Sequence, residues 1–195
     1  GSRVVFRGPR KTLRGPYIAC LGSTETYGRF IPSPYPELLE QDLGIDCVNF
    51  GNINAGIDLY LNEPAIAGPI ESAAVVVMQI MSAQNMSNRF YYVHPRRNDR
   101  FLRATDRLMT LFPEVDFTEF HFNRHLLLHL ADLCPRRFDE IVTELQTAWA
   151  ARMRSFLGRM RGRIVLLWLS QDPVPDTAQV ATGADPLFVD RAMLD

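Results

Sequence analysis

Lysine is nearly missing: among 21 basic residues only Lys11 is lysine, and the rest are arginine. The formal net charge is −1, so no global field of one sign draws in nucleic acid or an anionic membrane. The arginine bias reads first as composition, and second as a demand for bidentate anion contacts. Cysteine is scarce. Cys20, Cys47 and Cys134 are widely spaced and form no C-x-x-C pair, which argues against a disulfide framework and for free thiols in a reducing, cytoplasmic setting. No apolar run reaches transmembrane length and no signal-peptide pattern is found, so no membrane partner is expected. Gly1-Ser2 reads as a cloning scar. Walker A, G-x-G-x-x-G, G-x-S-x-G and H-E-x-x-H motifs are all missing, which withdraws support from nucleotide-binding, α/β-hydrolase and zinc-protease chemistry.

What is present is enough apolar residue, 47% of 195, for one domain with a sizeable core, spanning residues 1–195. Residues 1–16 form a basic lead-in arm. Tyr17–Leu21 reads as a first strand and Cys47–Phe50 as a second. Between them lies a helix with Ser33 as N-cap and Pro34 at its first position, stopped by Gly44. Asp58–Ile70 is expected to begin helical and end as loop. Ala73–Ile80 is a continuous apolar run, as in a central parallel strand buried on both faces. Phe138–Arg161 carries an apolar stripe with acidic residues near its start and arginines near its end, which predicts a long helix. Arg163–Ser170 is a fourth strand, Gln171–Asp185 a loop, and Pro186–Asp195 the start of another helix. Strands separated by helices imply a three-layer, flavodoxin-like α/β fold with a parallel sheet.

Two polar turns fall at the carboxyl ends of the first two strands, the edge where open α/β sheets bind ligands. The first is Gly22-Ser23-Thr24-Glu25-Thr26-Tyr27-Gly28. The second follows Asn49 and contains Gly51, Asn54, Gly56 and Asp58. In order and spacing these turns resemble the SGNH (GDSL-type) hydrolases, whose first block runs G-D-S-x-T-x-G and whose second, in some members, runs N-x-G-x-x-G-x-G-x-D. Ser23 stands at the block's Asp, Thr24 at its nucleophilic Ser, and Asn54 at the middle Gly of the second block. The resemblance covers about the first half of the chain. It implies ester hydrolysis or acyl transfer, with Thr24 or Ser23 attacking an acyl carbonyl and no cofactor. Backbone N–H groups near Asn54 and the side chain of Asn85 would hold the oxyanion. Asn85 is chosen from the polar run Ser82–Asn88 after the third strand. Gly22, Glu25, Gly51, Gly56 and Asn88 would line the substrate site. The alternative is a ligand-binding or regulatory domain that kept the scaffold and lost the chemistry.

Residues 81–137 exceed what a crossover needs, and predict an inserted helical cap of two or three helices. Arg96, Arg100, Arg103 and Arg107 recur at near-helical spacing. They form either a solvated face or a patch for an anionic substrate group, with Arg96 and Arg100 the binding candidates. His121, His125 and His129 are spaced i, i+4, i+8. That spacing permits a metal pair, but no ligand set is completed and no metal is expected. The partner is therefore a small-molecule ester or an anionic ligand. Nothing after Ser170 supplies the strand and Asp-x-x-His block that the resemblance leads one to expect. The exposed flank of the fourth strand is thus expected to be covered by further chain or by a partner, a homo-oligomer included.

Overall fold

The computed structural model describes residues 4–177 and 185–195. In chain order the elements open with β1 (Ile18–Leu21), α1 (Thr24–Tyr27), α2 (Tyr35–Leu43) and β2 (Cys47–Asn49). Next come α3 (Ile57–Asn62), α4 (Pro64–Glu71) and β3 (Val75–Gln79). The chain then forms β4 (Tyr91–His94), β5 (Arg97–Ala104), α5 (Asp106–Leu111), a 3-10 turn at Phe117–Glu119 and α6 (Asn123–Leu133). It finishes with α7 (Pro135–Leu157), β6 (Arg163–Leu167) and a 3-10 turn at Arg191–Met193.

Four strands make one parallel sheet in the order β2-β1-β3-β6, compatible with a flavodoxin-like fold. The period-two alternation of a strand divides its side chains between two cores. Ala19, Leu21, Val76 and Met78 join the large core, with Tyr60 of α3, Ile66 of α4, and Trp149 and Phe156 of α7. Ile18, Cys20, Cys47 and Val77 face the other way, against Tyr35 and Leu39 at α2. Helices therefore cover both faces. Cys20 and Cys47 are free thiols here. Burial pushes Cys20 up to about 12 and Cys47 up to about 11, so neither is a nucleophile at neutral pH.

Several expectations from sequence need adjusting. Pro34 is the N-cap of α2 rather than its first residue, because its extended backbone stays outside the helix. Gly44, at φ 64°, ends that helix as expected. The stretch expected to fade into loop before Ile70 is a second helix, α4, started by Pro64 and capped by Glu63. Pro186–Asp195 forms no full helix, only the single turn at Arg191–Met193. Within the loop expected at Gln171–Asp185, residues 178–184 lie outside the described residues.

The 81–137 region departs most from expectation. Instead of helices alone it contains the antiparallel hairpin β4–β5, then α5, a 3-10 turn and α6. Arg100 and Arg103 therefore lie on a strand, not on a helical face. Each stacks on an aromatic ring: Arg100 on Phe122 at 4.2 Å and Arg103 on Tyr92 at 4.1 Å. Arg107, in α5, lies over Phe90 at 5.1 Å. The basic arm is tied down as well. Arg7 donates to the carbonyls of Tyr27, Gly28, Ile31 and Pro32, and Lys11 pairs with Glu40. Among the described residues, no helix is long and apolar enough to cross a membrane.

Candidate functional site

The carboxyl edge of the sheet is built from three turns, one after each of β1, β2 and β3. Glycines let these turns approach. A Cβ on Gly22 would meet Thr26 Oγ1 at 2.2 Å and Gln79 Oε1 at 2.4 Å. A Cβ on Gly56 would sit 1.8 Å from the Asn85 carbonyl oxygen. The first and second turns are also joined by polar bonds. Asn49 donates from Nδ2 to the Thr26 carbonyl at 2.8 Å, and its Oδ1 accepts from the Gly51 N–H at 2.9 Å. The buried Tyr60 hydroxyl accepts from the Gly22 N–H at 2.9 Å and donates to the Gly22 carbonyl at 2.6 Å. Such a network is costly to leave half-made, which fixes the turns relative to each other.

Ser23, Thr24, Glu25, Asn54, Gln79, Ser82, Asn85 and Asp185 line one small cleft of about 100 Å³. Thr24 Oγ1 accepts from the Asn54 backbone N–H at 3.1 Å and donates to Asn54 Oδ1, also at 3.1 Å. Asn54 holds φ 54°, the left-handed region that favours glycine and tolerates asparagine. Ser23 precedes α1 without capping it, while its N–H donates to Gln79 Oε1 at 2.9 Å. The same oxygen accepts from Thr26 Oγ1 at 2.7 Å, and Gln79 Nε2 donates to Glu25 at 2.8 Å.

Asn85 lines the cleft with its Oδ1 held by Asn123 Nδ2 at 3.3 Å. Its own Nδ2 makes no hydrogen bond among the described residues, which leaves a donor available at the cleft. Asn88 stands apart from this group. Its Oδ1 accepts from the N–H groups of Phe90 and Tyr91, and its Nδ2 donates to the Met86 carbonyl. The Asn88 amide is thus engaged at both ends in starting the hairpin, outside the lining of this cleft. Asp58 is structural. It accepts from the Ser87 N–H at 2.8 Å and pairs with Arg152 at 2.8 Å.

The hairpin contributes residues that sequence reasoning passed over. Asn98 Oδ1 accepts from the Gly56 N–H at 2.9 Å, and Asp99 Oδ2 accepts from Asn54 Nδ2 at 3.0 Å. Asn123 is buried and donates to the carbonyls of Gln84 and Asn98. The signal available in sequence was Asn98-Asp99 just after His94-Pro95-Arg96, a turn dipeptide followed by polar residues, hidden by the helical spacing of the arginines.

The histidines are distributed differently from a metal site. His125 and His129 both pack on Phe120, with ring centroids 4.9 Å and 5.2 Å away. No group of three His, Cys, Asp or Glu residues could hold a metal ion among the described residues. His94 Nδ1 accepts the backbone N–H groups of Arg96 and Arg97, both at 3.2 Å. His94 Nδ1 is thus occupied by the turn between the two strands of the hairpin. Ser82 Oγ donates to Asp185 Oδ1 at 2.6 Å and accepts from the Leu187 N–H at 2.9 Å, which brings residues 185–187 onto the third turn.

Asn54 also borders a larger cleft of about 630 Å³, which contains Arg29, Arg96, Arg97 and Arg100. A third cleft is lined by Asn54, Asn85, Asp99, Phe122, His125 and Asp185. Arg96 and Arg100 thus meet the Thr24 turn through Asn54, although they do not lie on one helix. No curated protein and no solved structure matches the chain. One family does match, over residues 1–195, and the chain belongs to it: the family described as Domain of unknown function (DUF6473).

Proposed function

We propose that the protein is an SGNH-like ester hydrolase or acyl transferase with Thr24 as its nucleophile. The observation that carries this is the left-handed Asn54, which stands where the resembled motif has glycine and aims its backbone N–H at Thr24 Oγ1. In the reaction, Thr24 Oγ1 bonds to the acyl carbon, the carbon–oxygen bond to the alcohol breaks, and the Thr24 proton passes to a base and then to the leaving alkoxide. Asn85 Nδ2 is a donor for the oxyanion, joined by the Asn54 N–H once Thr24 Oγ1, which it now binds, has bonded to the acyl carbon; each such donor is worth about 3 kcal/mol. The ionisable side chains lining the cleft are Glu25 and Asp185. Asp185 is the base we assign, because it lines the cleft with Thr24 and also borders the one that His125 lines.

The test uses the full chain with an activated short acyl ester and an alkyl fluorophosphonate. Thr24→Ala should abolish turnover and the covalent mass increase, while Thr24→Ser should keep both. Asn85→Ala should lower kcat by roughly a hundredfold. Asp185→Asn should lower kcat with little change in KM. Turnover and labelling that survive both Thr24→Ala and Ser23→Ala would rule out this nucleophile.

A second reading, a ligand-binding domain without chemistry, has one observation in its favour. The Thr24 hydroxyl proton already has an acceptor in Asn54 Oδ1, so the turn is satisfied with no base engaged. Ligand binding with no labelling of Thr24 by the fluorophosphonate would decide for it.

A further inference from the structure

The hairpin and the loop after α1 place Arg29, Arg96, Arg97 and Arg100 around one cleft of about 630 Å³, facing a single carboxylate, Asp99. The chain as a whole carries a net charge of −1, so this concentration of guanidinium groups is local and not a by-product of a basic protein. Several arginines elsewhere in the molecule have acidic partners: Arg89 with Glu144, Arg137 with Glu114, Arg152 with Asp58, Arg159 with Glu71. None of the four cleft arginines forms an ion pair among the described residues. The one carboxylate present is already held by Asn54 Nδ2.

One of the four is braced by a ring: Arg100 stacks on the half-exposed Phe122 at 4.2 Å. Stacking fixes the plane of a guanidinium while leaving its N–H edge free, and a fixed planar fork suits two oxygens of one oxyanion. The cleft shares Asn54 with the Thr24 cleft, so the two adjoin at that residue.

We propose that this cleft is an anion subsite for a phosphate-bearing ligand, and that the ester acted on at Thr24 carries its phosphate there. The second half rests on the hydrolase reading; the first half does not. Four guanidinium groups answer a group carrying more than one negative charge better than they answer a lone carboxylate.

The experiment is isothermal titration of the full chain with inorganic pyrophosphate at low ionic strength, with succinate as the dicarboxylate comparison. The wild-type protein should bind pyrophosphate, more weakly as salt rises, and should bind succinate at least tenfold more weakly, a difference of about 1.4 kcal/mol. Arg96→Gln with Arg100→Gln should weaken pyrophosphate binding by about tenfold or more. Arg29→Gln, on another wall of the cleft, gives a second variant should the double change harm folding, and should also weaken binding. Arg136→Gln with Arg161→Gln, both exposed and outside the cleft, should leave binding unchanged. Thr24→Ala should bind pyrophosphate as the wild type does. Equal losses in the cleft and remote variants, or succinate binding as tightly as pyrophosphate, would overturn the subsite. Thr24-dependent turnover of neutral esters by a protein that does not bind pyrophosphate would overturn it while leaving the hydrolase reading intact. Pyrophosphate binding with no Thr24-dependent chemistry would support the subsite and remove the hydrolase.

Discussion

A non-glycine residue in the left-handed region costs roughly 1 kcal/mol unless its side chain compensates. Asn54 meets that cost with two side-chain hydrogen bonds, one from Thr24 and one to Asp99. Asn54→Gly keeps the backbone N–H and removes the strain, so it should retain most activity and change stability by less than about 1 kcal/mol. Asn54→Ala keeps the strain and loses both side-chain bonds, so it should melt lower by about 1 kcal/mol or more and lose more activity than the glycine variant. Thermal unfolding and ester turnover of the two variants, side by side, check this. The reverse order would remove the backbone N–H from the argument. At this scale the sequence was informative: Ser23, Thr24, Asn54 and Asn85 were chosen from turn positions together with the resemblance to the SGNH blocks, and they line one cleft. Asn88 was chosen for the same reason. An Asx turn that starts a hairpin and a donor that faces a ligand look identical in sequence, because both need a short amide side chain at a chain reversal.

Between elements, one ion pair joins α3 to α7. Asp58 is buried, and burial pushes its carboxyl above the usual range, while the charge and hydrogen bond of Arg152 pull against that. Arg152→Met removes the counter-charge and leaves a buried carboxylate, at a cost of about 3 kcal/mol in urea unfolding at neutral pH. Without Arg152 the folded-state value of Asp58 climbs further above its unfolded value. Stability from protonating Asp58 is then fully present below the unfolded value and is lost as pH rises through the folded one. The deficit of Arg152→Met relative to the wild type should therefore shrink as pH falls. Adding Asp58→Asn should flatten that dependence. A deficit that grows toward acid would show that Asp58 is not the group responsible. The strands and α7 were legible because apolar runs and a wide helical stripe each have a single physical explanation. The β4–β5 hairpin was not. Its arginines stack on a ring of the facing strand and on one from the segment before α6, so their spacing reflects Tyr92 and Phe122 rather than any helical period.

Across the whole molecule, stability should grade from one flank of the sheet to its centre. β1 and β3 are central, and Ala19, Cys20, Leu21, Val76 and Met78 are inaccessible to solvent. β6 pairs only with β3, so its other edge has no strand beside it among the described residues. Ile164, Val165 and Leu166 remain 37%, 47% and 41% exposed. Opening β6 exposes little new apolar surface, whereas opening β1 or β3 dismantles both cores. Amides of residues 18–21 and 75–79 should therefore exchange with deuterium only through global unfolding. Peptides covering 163–167 should contain amides that exchange through cheaper local opening, and these should respond less steeply to denaturant. Mass spectrometry of the native protein at several urea concentrations separates the two classes. Equal, global protection of 163–167 at high protein concentration that falls on dilution would mean that a second copy covers this edge. Equal protection at every concentration would mean that the edge is covered within one molecule.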